Sequence, residues 1–420
     1  MGLGQVRGLS WAKRLYQTIW YHSSRTITSN SSNHLAHILI REPISGIKTA
    51  LDSEMVKTSG IGNLQFSWDS LLTSIHSSSP HKAQLVLEWR LEKLLKENEK
   101  NCDTFSDLIH LCGKIQNAQT AMHVFTSMEN HGLKPTSIIL EALISAHLSS
   151  GNVITALSIF QTMQNSEDHK PTSHTYNLFI SAFANLGNSK SMLAWYSAKM
   201  ASGYSADLET YEALILGSIK LKRFKDADRF YTEMLGAEIT PNTSILHGML
   251  VGFCEQKDLD KIRGFLKGIL DYRWEINGYM ADKLVGFYCE LELVEQLEWM
   301  LVVLTETNPN QDLDIISQIH NGLIRVYAKL DRLDDVEYSV GRMLKQGVSF
   351  SSHKDVEKVL CSYFRKGAYD RLDVFLEFIK NSYKLPRSTY ELLVAGYRRA
   401  RLYEKVDLVI KDLKMVETTC

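Results

Sequence analysis

The sequence predicts an all-α fold, a right-handed superhelical solenoid of helix-turn-helix repeats of about 35 residues. Three observations point there. An apolar pair returns at Leu108-Ile109, Leu143-Ile144, Phe179-Ile180, Leu214-Ile215, Met249-Leu250, Leu284-Val285, Leu323-Ile324, Val359-Leu360 and Leu393-Val394, at spacings of 35, 36, 35, 35, 35, 39, 36 and 34 residues. Within each period the apolar residues recur three and four apart, pause, and resume, as in SIILEALISAHLSSGNVITALSIFQTMQ around Leu143, which reads as helix, turn, helix. Proline closes some of the second helices, for example Pro241 after ETYEALILGSIKLKRFKDADRFYTEMLGAEIT, because it cannot continue a helix. A core assembled once from unlike elements has no reason to repeat in this way, whereas a single hairpin with too little core must bury its apolar face on its neighbours.

In chain order, residues 1–40 form a separate material. They hold Arg7, Lys13, Arg14 and Arg25, no Asp or Glu, and many Ser and Thr. A helix from Val6 to Trp20 would align Trp11, Leu15 and Ile19 on one face. An apolar stripe with positive charge and no acid is the composition of an organellar transit peptide, mitochondrial in preference to chloroplast, with a disordered tail as the alternative. Residues 41–64 read as a linker. Residues 65–101, with WDSLLTSI and the amphipathic run from His81 to Lys100, read as a degenerate helical pair capping the array. Nine repeats fill 102–415, with first helices starting near Cys102, Ser137, Ser173, Leu208, Thr243, Gly278, Ser317, His353 and Arg387; a polar insertion, TNPNQDLD, follows the sixth. A short tail, 416–420, ends the chain.

The chain has 420 residues, is 44% hydrophobic and carries a formal charge of −1, so it has ample material for a folded body and no basic excess. No run of 18 apolar residues occurs, the longest candidate being WMLVVL from Trp299 to Leu304, so no membrane span is expected. The six cysteines form no C-x-x-C pair and scatter like buried small apolar residues; no metal, disulfide framework or cofactor is expected.

The residues at fixed offsets resemble the pentatricopeptide repeat family, of its repeat-only P-type subclass as found in plant organelles. T-F-S-D-L-I at Thr104, T-Y-N-L-F-I at Thr175, T-Y-E-A-L-I at Thr210 and T-Y-E-L-L-V at Thr389 open first helices. A-x-x-x-F/Y-x-x-M appears in second helices as Ala121, Phe125 and Met128, as Ala156, Phe160 and Met163, and as Ala227, Tyr231 and Met234; Gly-x-K-P at Gly132 to Pro135 closes a repeat. The W-x2-L-G-x2-Y opening of the related tetratricopeptide unit is absent.

The resemblance implies a binding protein that holds single-stranded RNA on the concave face of its first helices and affects RNA processing, stability or translation. It further implies that the fifth residue of a unit and the residue before the next unit read one base. Here the candidates are Ser106 with Thr136, Asn177 with Asp207, His247 with Asn277, and Asn321 with Ser352. The pair Asn177 and Asp207 resembles a uracil reader, and Asn321 with Ser352 a pyrimidine reader. Glu141, Glu212, Asp282, Glu357 and Glu391 depart from the pattern by placing carboxylates at fifth positions. Tyr279 and His174, at second positions, could stack on a base.

Lys114, Lys220, Lys329, Arg365 and Arg399 recur at the thirteenth position and form a ladder suited to phosphate contact. The other reading of the ladder is a solvated edge paired with those same glutamates. No deaminase ligand spacing, nuclease domain or catalytic triad stands out, so no enzymatic activity is expected. The competing function is a protein-binding scaffold, associated for example with the mitochondrial ribosome, whose acidic fifth positions would meet a basic partner.

Overall fold

The computed structural model describes residues 34–59, 67–272, 274, 276–307, 313–380 and 382–418. Among these residues every regular element is helical. The chain divides into two compact units, Met1–Thr240 and Pro241–Cys420.

In the first unit, α1 (34–41) and α2 (Ile47–Ser59) precede α3 (Trp68–Ser78) and α4 (Pro80–Lys96). Four hairpins follow: α5 (Cys102–Lys114) with α6 (Ala118–Asn130), α7 (Ser137–Ser149) with α8 (Val153–Asn165), α9 (Ser173–Asn185) with α10 (Ser189–Ala201), and α11 (Leu208–Lys220) with α12 (Phe224–Gly236). The second unit holds five: α13 (Thr243–Gln256) with α14 (Leu259–Asp271), α15 (Gly278–Glu290) with α16 (Val294–Thr307), α17 (Leu313–Lys329) with α18 (Leu333–Lys345), α19 (His353–Lys366) with α20 (Tyr369–Lys380), and α21 (Arg387–Arg399) with α22 (Tyr403–Thr418). Within each unit the first helix of one hairpin packs on its own second helix and on the first helix of the next hairpin. This is the architecture of a solenoid.

The recurring apolar pair supplies the interface. Leu108, Ile109, Ile144, Phe179, Ile180, Leu214, Ile215, Leu250, Leu284, Leu323, Ile324, Val359 and Leu360 are all fully buried. Small residues let neighbouring first helices approach closely: a Cβ on Gly113 would lie 2.9 Å from the Ala146 Cα, and one on Gly217 would lie 2.6 Å from the Ala184 Cβ. Aromatic packing fills the wider gap in α9 and α10, where Phe179 and Trp195 stack with ring centroids 4.1 Å apart and Phe160 meets both edge-on.

Each hairpin turns at one residue of left-handed backbone, always the fifteenth of its unit: Gln116, Gly151, Gly187, Lys222, Lys257, Glu292, Asp331, Gly367 and Arg401, with φ between 53° and 78°. Only three of these are glycine. A side chain in that region costs roughly 1–2 kcal/mol, so six hairpins carry strain that their packing must offset.

The amino-terminal region differs from the expectation of a transit segment to residue 40 and a linker to 64. Residues 1–33, including Arg7, Lys13, Arg14 and Arg25, lie outside the described residues. Leu35, Ala36 and Leu39 of α1, and Ile47 and Leu51 of α2, are buried in one cluster with Leu71, Ile75, Leu87 and Leu108. The Lys82 ammonium donates to the carbonyls of Leu39 (3.2 Å), Ile40 (2.7 Å) and Glu42 (2.6 Å) at the end of α1, where a cation complements the helix dipole. The Trp89 indole donates to Asp52 (3.1 Å) and ties α2 to α4. The folded cap therefore begins by residue 34 and has four helices where a pair was expected. The seventh first helix starts at Leu313, four residues ahead of the expected Ser317, so the polar insertion ends in helix.

The shared turn gives a direct test of strain. Gln116→Gly should raise stability by about 1 kcal/mol, and Gly151→Ala, whose new methyl meets nothing within 4 Å, should lower it by about the same amount; urea unfolding midpoints measure both. Equal midpoints for the two variants would contradict the strain.

Candidate nucleic-acid interface

The residue that closes most units has a structural duty first: its side chain caps the next first helix, the exceptions being Ile316, which lies within α17, and Pro386, which makes no side-chain cap bond. Thr136 accepts from the Ile139 amide, Thr172 from Thr175, Asp207 from Thr210, Asn277 from Met280 and Ser352 from Lys354. Ser, Thr, Asn and Asp are the residues that caps require, so the residue types at this position follow from helix initiation whether or not they touch a base.

In the first unit the fifth-position residues Glu141 and Asn177 are occupied internally. Ser106 is buried, and Thr136 is half-buried. Glu141 is buried and its Oε1 accepts from the hydroxyls of Thr172 (2.5 Å) and Thr175 (2.6 Å). Asn177 is fully buried. Its Nδ2 donates to Asp207 Oδ1 (3.0 Å) and Glu209 Oε2 (2.9 Å), and its Oδ1 accepts from Lys199 Nζ (2.9 Å) and lies 2.8 Å from the Thr210 hydroxyl. Glu141 with Thr172 and Asn177 with Asp207 are thus brought together, but bonded to one another and to their surroundings.

Burial favours the neutral acid at Asp207, yet the Thr210 amide, the Lys199 ammonium and the hydroxyls of Ser173 and Thr210 outweigh it and hold this carboxyl well below the ordinary carboxylate range. His174 shifts upward because it donates to Glu209 at 3.1 Å, against the opposing effect of burial.

In the second unit the arrangement is more open. His247 and Asn277 are half-buried. The His247 Nε2 lies 2.9 Å from the Asn277 Nδ2 and 3.1 Å from its Oδ1, which also accepts the Met280 amide (3.0 Å). Tyr279 is 47% exposed, its ring centroid 4.5 Å from that of His247, with the Lys283 ammonium 5.6 Å away. An exposed aromatic beside a paired donor and acceptor is a surface on which a base can stack. Asn321 behaves otherwise. It is buried and its Nδ2 donates back to Ser317 at 2.8 Å (main chain) and 3.2 Å (hydroxyl), while its Oδ1 has no partner. Ser352 caps α19 and is not joined to it.

Lys220, Lys329 and Arg365 reach to the carboxyl end of the preceding first helix or the turn after it, and Lys114 reaches to the first turn of α3; none of these four pairs with a fifth-position glutamate. Lys114 pairs with Asp69. Lys220 donates to the Asn185 carbonyl at 2.8 Å, and Lys329 pairs with Glu292 at 2.7 Å. Arg365 binds the Ala328 carbonyl (2.8 Å) and Asp331 (2.7 Å). Arg399 is exposed at the end of α21. The fifth-position acids have other partners: Glu357 accepts from Ser388 (2.8 Å), and Glu391 pairs with Arg387 (2.8 Å).

A cleft of about 770 Å³ opens on the first helices of the second unit. Arg325, Lys329, Lys354, Lys358 and Arg365 line it over an apolar floor that includes Val326 and Leu392, and Glu357 is the one acid in its wall. Arg325 is held by a bidentate pair with buried Asp355 (2.9 and 3.1 Å); Lys354 and Lys358 are exposed. Arg325 and Lys358 escaped the sequence reading because they sit at the ninth and sixth positions, off the thirteenth-position ladder. Lys199 escaped it too, although its neighbours signal it: it stands where other second helices carry Met128, Met163, Met234 or Met343. Among the described residues no group of His, Cys, Asp and Glu could hold a metal ion, and no helix is long and apolar enough to cross a membrane.

The hairpin stack with cations and capping residues on its first helices defines an α-solenoid. A family model described as pentatricopeptide repeat-containing protein matches residues 104–234. A chloroplastic pentatricopeptide repeat-containing protein of Arabidopsis thaliana is 26% identical over 167 residues, 38% of this chain and 33% of the relative. The mitochondrial 15S rRNA processing factor of Yarrowia lipolytica is 27% identical over 144 residues, 33% of this chain and 18% of the relative. The crystal structure of the pentatricopeptide repeat protein PPR10 from maize superposes with a TM-score of 0.56 at 16% identity, covering 89% of this chain and 57% of that one. The chain is thus similar to pentatricopeptide repeat proteins in sequence over residues 104–234 and in fold over most of its length. Its alignments span a third or less of those two curated relatives.

The capping carboxylate yields a pH prediction. Asp207 is depressed below its ordinary value of 3.8, so its contribution to stability is present above that pH and is lost as pH falls through the folded value. Asp207→Asn should therefore lower stability at neutral pH and flatten the acid limb below pH 3.8, as read from urea midpoints across that range. An unchanged acid limb would contradict the network.

Proposed function

We propose that this protein is an organellar RNA-binding protein of the repeat-only P-type subclass, which holds a single-stranded segment against its first helices and thereby affects processing, stability or translation. The cationic cleft of the second unit carries this reading. Exposed Lys354 and Lys358, beside three cations already paired with Asp355, Glu292 and Asp331 and over an apolar floor, suit a phosphodiester backbone whose bases seek a dry surface, and His247, Asn277 and Tyr279 offer a stacking and hydrogen-bonding edge in the same unit. Mitochondrial import, in preference to chloroplast, is supported by the acid-free first 40 residues; with α1 folded into the core, the cleavable part would end before residue 34. The protein acts by binding, without chemistry of its own.

The scaffold reading has less support. It relied on acidic fifth positions, and Glu141, Glu357 and Glu391 are engaged within the chain.

The test is titration of the full chain with short single-stranded RNAs at two salt concentrations. Lys354→Glu with Lys358→Glu should weaken binding to all sequences and reduce the salt slope by about 1.4, from roughly 0.7 per phosphate contact on single strands. Wild-type binding no tighter than the micromolar range, with a slope the double variant leaves unchanged, would overturn the proposal.

A further inference from the structure

Position 27, counted from the first residue of the unit, is a buried apolar residue in seven of the other eight repeats, where Met128, Met163, Met234, Ile269, Leu304, Met343 and Ile379 are at most 3% exposed, and a half-buried leucine, Leu413, in the ninth. In the third repeat the same position is Lys199, and it is buried as completely. Its ammonium donates to Asn177 Oδ1 (2.9 Å), Asp207 Oδ2 (2.9 Å) and the Thr210 hydroxyl (2.6 Å). A buried ammonium needs an anion and acceptors on every side. It finds them in the two residues that would otherwise read a base.

We infer that Lys199 is a lock that makes the third repeat silent: it engages the Asn177 and Asp207 pair from within, so this repeat contributes no nucleotide preference and bound RNA passes over it unread. The inference rests on the RNA-binding reading above. The amide of Asn177 has no exposed surface, and both its ends are committed to Lys199, Asp207 and Glu209. A base could reach its Oδ1 only by displacing the ammonium, which has no solvent to fall back on, and its Nδ2 only by displacing Asp207 or Glu209. The methionines at the same position in other repeats make no such demand. Asp207 would still have its cap bond from the Thr210 amide (2.9 Å) and the Ser173 hydroxyl (2.8 Å) without Lys199, so a methionine there leaves the helix start intact.

The experiment compares the full-length wild type, Lys199→Met, Asn177→Ala and the double variant against single-stranded RNA pools, each randomised at one position. Asn177→Ala alone should leave nucleotide preference within twofold of wild type at every position. Lys199→Met should gain about a fivefold preference at one position, the contribution of one ordinary hydrogen bond, and Asn177→Ala in that background should abolish the gain. If Asn177→Ala relaxes preference in the wild-type background, the lock does not exist, and this result decides the matter even if Lys199→Met fails to fold. A folded Lys199→Met without new preference also overturns it. Absence of RNA binding by wild type and all variants defeats the RNA-binding reading itself, and the lock with it, whereas the preceding outcomes leave that reading standing.

Discussion

Everything in this molecule depends on the burial of one first helix against the next. A single hairpin presents an apolar face it cannot cover, so the pair Leu214-Ile215, like its counterparts in other repeats, is stable only because a neighbouring hairpin removes it from water. The approach is close enough that Gly113 and Gly217 leave no room for a larger side chain beside Ala146 and Ala184. Packing at that density decides which positions can face a ligand, because whatever the helices bury between them is no longer available to bind.

The same constraint organises the polar groups. Successive hairpins are joined at three heights: cap residues start most first helices, fifth-position acids such as Glu141 and Glu357 receive the hydroxyls of the following cap region, and the thirteenth-position cations Lys220, Lys329 and Arg365 meet the end of the preceding first helix. Glu292 and Asp331 are both strained turn residues and the anions that receive Lys329 and Arg365. Their side chains supply a cross-repeat tie that glycine could not, a physical reason to accept a positive φ at those turns. These exposed pairs are worth little individually, but they orient long cationic side chains along the helix ends.

The two units use their first-helix faces differently. In the first, Glu141, Asn177 and Asp207 are drawn into internal networks. In the second, the half-open His247, Asn277 and Tyr279 group and the cleft around Lys354 and Lys358 leave donors, an aromatic ring and cations in contact with solvent. The proposed recognition therefore concentrates on residues that packing leaves exposed or half-exposed.

Periodicity alone determined the helical hairpins, their number after Cys102 and the residues of their interfaces, because a repeat of about 35 residues with a fixed apolar pair has one way to bury itself. It placed the starts of the first helices to within a few residues, since helix starts are local matters set by a few neighbouring residues. The helices within 41–59 were not legible, their apolar residues being too sparse to show a period before Leu71 and Ile75 packed on them. Nor was the fate of the candidate readers. Asn177 and His247 hold the same place in their repeats; one is sealed by Lys199 and the other is partly open. That difference depends on a side chain from the second helix, 22 residues from Asn177 in sequence and 2.9 Å from it in space. A spacing rule reports which residues share a face, but only the tertiary structure decides whether their hydrogen bonds are spent within the fold or left for a ligand.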